Sequence, residues 1–225
     1  MQFRLIPIID KMVEFYSVPP SIERFNKYLS ILEGQTKGNL EVPIGSYNPM
    51  AKEHVRERLL ELKQLRSEEI IEETLSHLSQ QFKHNPELTF GVCLNLADDL
   101  HGGWTNRITT DYQSKFQINA LVKRGFCTPH FWTGETFSTD LIISRTKEYV
   151  FHTLYFSDHG KPVTLNDHVQ QLDFVQLNLE GEPSSISAKK SFEQYKYSED
   201  YSVILNFLYG DKAATDLGFE SIGID

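Results

Sequence analysis

Leu88 to Leu96, LTFGVCLNL, is the stretch whose reading decides the fold. It is apolar and rich in β-forming residues, so it reads as a buried strand. A core helix carrying Gly91 inside it is the alternative, because so short an apolar run does not fix its own period. Upstream the chain reads as helices joined by loops; downstream the texture is mixed.

Upstream, residues 3–17 carry Leu5, Ile9, Met12, Val13 and Tyr16 at helical spacing, with Pro7 tolerable only near a first turn. Ser21 is positioned to cap a second helix whose apolar stripe is Ile22, Phe25, Leu29 and Leu32. Residues 34–48 have no helical period and read as loop. Asn48-Pro49 is a helix-start signal ahead of Val55, Leu59 and Leu62. After a break near Arg66, Ser67 opens a capped helix with an acidic first turn, Glu68-Glu69. Its stripe of Ile71, Leu75, Leu78 and Phe82 is the cleanest in the chain, and Asn85-Pro86 ends it.

Downstream, a helix is expected from Thr109 to Lys123, with Gly125 at its C-cap. Phe126 to Thr133 reads as a short strand broken by Pro129. Residues 138–157 fit either a helix capped by Ser138 or a hairpin about an RTKE turn. The helix is preferred, because that turn lacks the Gly, Pro or Asn that hairpins use. Thr164 is placed to cap a helix through Gln171, and Val175, Leu177 and Leu179 alternate like an edge strand or a tether. Helices over 188–196 and 199–209, and a last turn from Asp211 to Leu217, complete the reading. The expectation is a mainly α protein with a few short strands, a single compact domain over residues 1–225 in which residues 1–84 are helical and residues 87–225 mixed.

Bulk properties narrow the functional classes. The chain has 225 residues, 22 basic against 31 acidic side chains and a net charge of −9. No run of Lys or Arg exceeds two, so a nucleic-acid partner, which needs clustered cations, is not expected. No apolar run reaches bilayer length and no signal-peptide pattern is present, so neither membrane association nor export is expected and the location is read as cytoplasmic. Cys93 and Cys127 sit in apolar surroundings and read as two buried, reduced thiols. The sequence contains no G-x-S-x-G elbow, Walker A loop or dinucleotide-binding glycine pattern.

The chemistry-bearing segment is Leu96 to Asp111. Carboxylates and an imidazole are ligands for a divalent metal ion, so Asp98, Asp99 and His101 are the candidate metal ligands. Gly102 and Gly103 permit close approach of a ligand, and Trp104, Asn106 and Arg107 are the candidate substrate contacts, the guanidinium as a clamp for carboxylate or phosphate. His130 and His152 are the candidate catalytic histidines, as a further ligand or base; on the helical reading His152 shares a face with Arg145 and Glu148. A structural reading stands beside each: capping acids, a Gly-Gly turn, a Trp104 that plugs the core, an Arg107 spent on a salt bridge to Asp98, Asp99 or Asp111, and histidines that only fill the interior. If LTFGVCLNL is a strand, this loop leaves its carboxyl end, where α/β architectures hold ligands. Two functions are carried forward. One is a small-molecule-binding protein or metal-assisted hydrolase that uses the loop 96–111, with a divalent metal as its possible cofactor. The other is a non-catalytic helical module for a protein partner, consistent with 12% aromatic residues.

Overall fold

The computed structural model describes residues 2–34, 41–82, 88–100 and 105–224. The chain begins with β1 (Gln2–Leu5), followed by α1 (Ile9–Tyr16), α2 (Ile22–Glu33), α3 (Glu53–Gln64) and α4 (Ser67–Gln81). Then come β2 (Thr89–Val92), β3 (Asn95–Ala97), α5 (Arg107–Phe116), α6 (Asn119–Lys123), β4 (Phe126–Cys127) and β5 (His130–Trp132). Six further elements follow: α7 (Thr139–His159), α8 (Leu165–Leu179), a 3-10 turn (Ile186–Ala188), α9 (Phe192–Tyr195), α10 (Tyr201–Tyr209) and α11 (Asp211–Asp216). The protein is mainly helical with a minor strand component. The chain divides into two compact units, Met1–Thr110 with Ala120–Val150, and Asp111–Asn119 with Phe151–Asp225.

In the first unit LTFGVCLNL is a strand interrupted at Cys93-Leu94. Its β2 half lies between β1 and β4, and its β3 half lies beside β5; every pairing is parallel. The pairing bridges the interruption, because Cys93 N–H donates to Cys127 O at 3.0 Å and Asn95 N–H to Pro129 O at 2.8 Å. Phe90, Val92, Leu94 and Leu96 are fully buried, as are Phe131 and Trp132. From Val92 to Ala97 both faces are buried, Cys93, Asn95 and Ala97 included, which explains the apolar run there, whereas Thr89 in β2 is exposed.

The first predicted helix is wrong over its opening residues. Gln2–Leu5 pair with Thr89–Val92 instead, and Ile6 N–H extends the ladder to Val92 O at 2.8 Å. Pro7 offers no N–H and disfavours helix in the residue before it. Helix α1 therefore starts only at Ile9, and its first donors find a distant cap: Glu68 Oε1 accepts from Ile8 N at 2.5 Å and Ile9 N at 3.0 Å.

Helix α2 exists as read, with Ser21 Oγ accepting from Arg24 N at 3.2 Å, but it is rotated. Its buried residues are Arg24 and Tyr28, while Ile22, Phe25 and Leu29 are exposed. The guanidinium of Arg24 decides the rotation. It donates to Pro49 O at 2.6 Å, Val18 O at 3.0 Å and Ala51 O, and lies over the Phe15 and Tyr16 rings. Three loop carbonyls that need donors are satisfied together, which outweighs the stripe's own preference.

Helix α3 begins at Glu53, later than Asn48-Pro49 suggests, because Asn48 Oδ1 closes a local turn on Met50 N at 2.8 Å. Val55, Leu59 and Leu62 are buried as read. In α4, Ser67 is the first helical residue and not the cap; Arg66 holds the cap position with φ 56°. Ile71, Leu75 and Leu78 are buried. The Asn85-Pro86 stop lies outside the described residues.

Helix α7 resolves the 138–157 alternatives in favour of helix, with Ser138 Oγ accepting from Leu141 N at 3.1 Å. The Thr109–Lys123 helix is instead α5 and α6, separated where Ile118 turns inward.

The second unit is helical. Thr164 and Asp167 form a reciprocal capping box at the start of α8. That helix runs on through Val175, Leu177 and Leu179, so the predicted edge strand there is absent: Val175 is core and Leu177 is exposed.

Candidate functional site

The parallel strands β3 and β5 end side by side, and the residues that follow them make the site. After Ala97 come Asp98 and Asp99; after Trp132 come Thr133, Gly134 and Glu135. Thr133 N–H extends the ladder to Ala97 O at 3.0 Å, so the two strand ends are in register when their polar residues begin.

Asp98 is buried. Its Oδ2 accepts from His54 Nε2 at 2.8 Å, and its Oδ1 accepts from Thr133 Oγ1 at 2.8 Å and Leu100 N at 3.2 Å. Burial by itself pushes this carboxyl upward. Hydrogen bonds from His54 and Thr133, the charge of His54 and the Leu100 N–H outweigh that, so the group is held below its ordinary value. Asp99 meets the same hydroxyl, its N–H donating to Thr133 Oγ1 at 3.2 Å. Its Oδ1 accepts from Gly134 N at 2.7 Å and its Oδ2 from Arg107 at 2.9 Å. Gly134 fits closely here: a methyl group in its place would stand 3.0 Å from Asp99 Oδ1, so the carboxylate would have to yield slightly.

Arg107 opens α5, which Asn106 caps by accepting from Thr109 N at 3.0 Å. The guanidinium bridges the strand ends. One terminal nitrogen meets Asp99, and the other donates to Glu135 Oε1 at 3.0 Å. Its centre is 5.3 Å from the Trp132 ring centroid, and half of the side chain remains exposed. Glu135 also binds Arg145 at 2.9 Å, and its main-chain carbonyl accepts from Arg58. Arg145 in turn reaches Glu148 at 3.4 Å and the main-chain carbonyl of His130 at 2.6 Å.

Asp98, Asp99, Arg107 and, through Arg145, His130 therefore belong to one connected set. Asn106 serves it as a helix cap. His101 and Trp104 lie outside the described residues. His152 is a member of the second unit, with its described partners there. Its Nδ1 accepts from Gln171 Nε2 at 2.9 Å, and its ring meets the Phe116 ring edge-on at 5.4 Å. Burial first, and then the Lys115 charge, push its pKa down to about 3, so the imidazole is neutral. Among the described residues its Nε2 has no hydrogen-bond partner.

His130 is buried at the start of β5. Its Nδ1 lies 2.7 Å from Thr128 O, and its Nε2 meets Ser46 Oγ. Sequence reasoning alone misses Ser46, His54, Thr133 and Glu135. His54 reads as surface decoration, and nothing local marks the other three; only the strand register and a loop crossing bring them in. Among the described residues no three His, Cys, Asp or Glu side chains are grouped so as to hold a metal ion, and no helix is long and apolar enough to cross a membrane. Comparison with protein-family models, curated proteins and solved structures finds no match.

Proposed function

We propose that this protein binds a small molecule bearing a carboxylate or phosphate, at the carboxyl ends of β3 and β5, with Arg107 as the anchoring group. One observation carries the reading. Arg107 is half-exposed, yet two carboxylates from adjacent strand ends and the Trp132 ring fix its guanidinium in place. A surface arginine loses rotamer freedom when it is held this way; one already held offers its remaining N–H groups to an anion with that cost largely met, but Asp99 and Glu135 already balance its charge, so the anion is taken by hydrogen-bond geometry and not by net attraction. The location agrees with where open parallel sheets take ligands.

The metal-assisted hydrolase form of this reading uses Asp98 and Asp99 with His101, and His130 or His152 as ligand or base. It is the weaker form. His54, Thr133, Gly134 and Arg107 already occupy the carboxylate oxygens, and a divalent ion has to displace them.

The test is titration calorimetry with citrate, inorganic phosphate and adenosine monophosphate as probes, on wild type and Arg107→Ala. Saturable binding by at least one probe, weakened tenfold or more in the variant, is expected. Equal binding by both proteins, or none by wild type at millimolar concentration, overturns the proposal.

A second reading, a module for a protein partner, is favoured by the outward face of α2, where Ile22, Phe25 and Leu29 line up in the open. Sedimentation velocity over a concentration series tests its simplest form, self-association. Association that Ile22→Glu with Phe25→Glu abolishes supports this reading, and a concentration-independent monomer counts against that form.

A further inference from the structure

The contact between Ser46 and His130 has the components of an activated nucleophile. The carbonyl oxygen of Thr128, 2.7 Å from His130 Nδ1, can only accept a hydrogen bond, so Nδ1 carries the ring proton. The lone pair of the neutral ring is then on Nε2, the atom that faces Ser46 Oγ. The hydroxyl donates, and the imidazole is poised to take its proton.

Both partners are held from behind. The imidazole stacks on Tyr149, with centroids 5.6 Å apart and planes 19° apart, and Arg145 holds the His130 carbonyl at 2.6 Å. Ser46 N–H donates to Asn95 Oδ1 at 3.2 Å, and the amide of buried Asn95 is locked by Pro43 O at 2.8 Å and Cys93 O at 3.2 Å. The approach side is open. Ser46 is partly exposed, Gly45 beside it is exposed, and a methyl group built on Gly45 meets nothing within 4 Å. Gly45 N–H donates to no backbone carbonyl among the described residues.

We propose that Ser46 is a nucleophile and His130 its general base, in the transfer of an acyl group from a small carboxylic ester to water. Ser46 Oγ bonds to the ester carbonyl carbon while its proton passes to His130 Nε2. The C–O bond to the leaving alcohol breaks, and the alcohol takes that proton. Water then attacks the acyl-serine, gives a proton to Nε2 and releases the carboxylic acid as the proton returns to Oγ. The group that orients the base is a neutral carbonyl. It fixes the tautomer but contributes no full charge to stabilise the imidazolium. The substrate class is therefore esters with good leaving groups. This proposal is independent of Arg107 as an anchor: the calorimetric test above can fail while this one succeeds, and the reverse.

The experiment uses a fluorophosphonate probe and p-nitrophenyl acetate on the full chain, with peptide mass spectrometry to locate any adduct. The expected result is one adduct per chain on Ser46 in the native protein, none in urea-unfolded protein and none in Ser46→Ala. An acetyl-Ser46 burst should accompany it. His130→Gln, where circular dichroism shows it folded, should slow labelling at least 100-fold. Three results overturn the proposal: no labelling of native wild type, labelling that persists in Ser46→Ala, or equal labelling of native and unfolded chain. The last two show ordinary serine reactivity, and all three can be read without the His130 variant.

Discussion

His54 Nε2 lies 2.8 Å from Asp98 Oδ2, joining the first turn of α3 to the end of β3 across 44 positions of sequence. Neither group is at the surface: the histidine side chain is 17% exposed and the carboxylate 6%. A pair so enclosed, with Thr133 and Leu100 N–H on the other carboxylate oxygen, helps to keep α3 against the strand ends.

Asp98→Asn should lower unfolding free energy at pH 7 by about 1.5–3 kcal/mol, the range for hydrogen bonds to a charged group. Urea denaturation measures it. The sign of the pH dependence follows from the depressed carboxyl. The contribution is complete above the unfolded-state value near 4 and is lost as pH falls through the lower folded value. The gap between wild type and variant should therefore close below about pH 4. A gap that stays constant down to pH 3 would falsify the ionised-carboxylate account.

His152 gives an acid effect in a different window. Its folded value of about 3 is below the ordinary value of 6.5, so between these the unfolded chain binds a proton that the native chain does not. Stability is complete above about pH 6.5 and falls as pH drops towards 3, with a slope of about 1.4 kcal/mol per pH unit from this group. His152→Leu removes that slope. Relative to wild type, the variant should gain ground between pH 6.5 and 4.5 in chemical denaturation, whatever its standing at neutral pH.

Burial separates two helical stripes that look alike in sequence. Leu75→Ala should cost about 2–5 kcal/mol, as truncation at a 1% exposed leucine does. Ile22→Ala, at a side chain 75% exposed, should change stability by roughly 0.5 kcal/mol or less. Denaturation midpoints that rank the two variants the other way would reverse the assigned orientation of α2.

Both cysteines should resist a thiol reagent in the native state and react fully in urea. Each is buried and neither is disulfide-bonded, and burial first among the causes pushes the Cys93 thiol well above its ordinary value. Rapid modification of either without denaturant would show that the β2–β4 region opens.

Most helices are legible in the sequence because their apolar period and caps are local. Leu75, Leu78, Ser138 and Thr164 announce their roles within a few residues. What stays hidden depends on partners far along the chain. β1 reads as helix until Thr89–Val92 is available to pair with it. The α2 stripe reads as core until Arg24 finds three loop carbonyls. The acids after Leu96 stand out as a group, and their position at a strand end follows from reading LTFGVCLNL as a strand. Thr133 and Glu135, which complete the set, and Ser46, which meets His130, carry no local signal. Parallel register and a loop crossing supply it.

The pairing of Gln2–Leu5 with Thr89–Val92 also sets a timetable for synthesis. β1 is made well before its strand partner, and α1 to α4 emerge in between. At about 5–20 residues per second the nascent chain carries Phe3 and Leu5 unpaired for several seconds. The sheet cannot nucleate from neighbours and must close a long loop, which slows folding. Early in its life the chain depends on α1 to α4 to shelter that strand, and a ribosome stalled before Thr89 would hold a helical fragment with an unclosed edge.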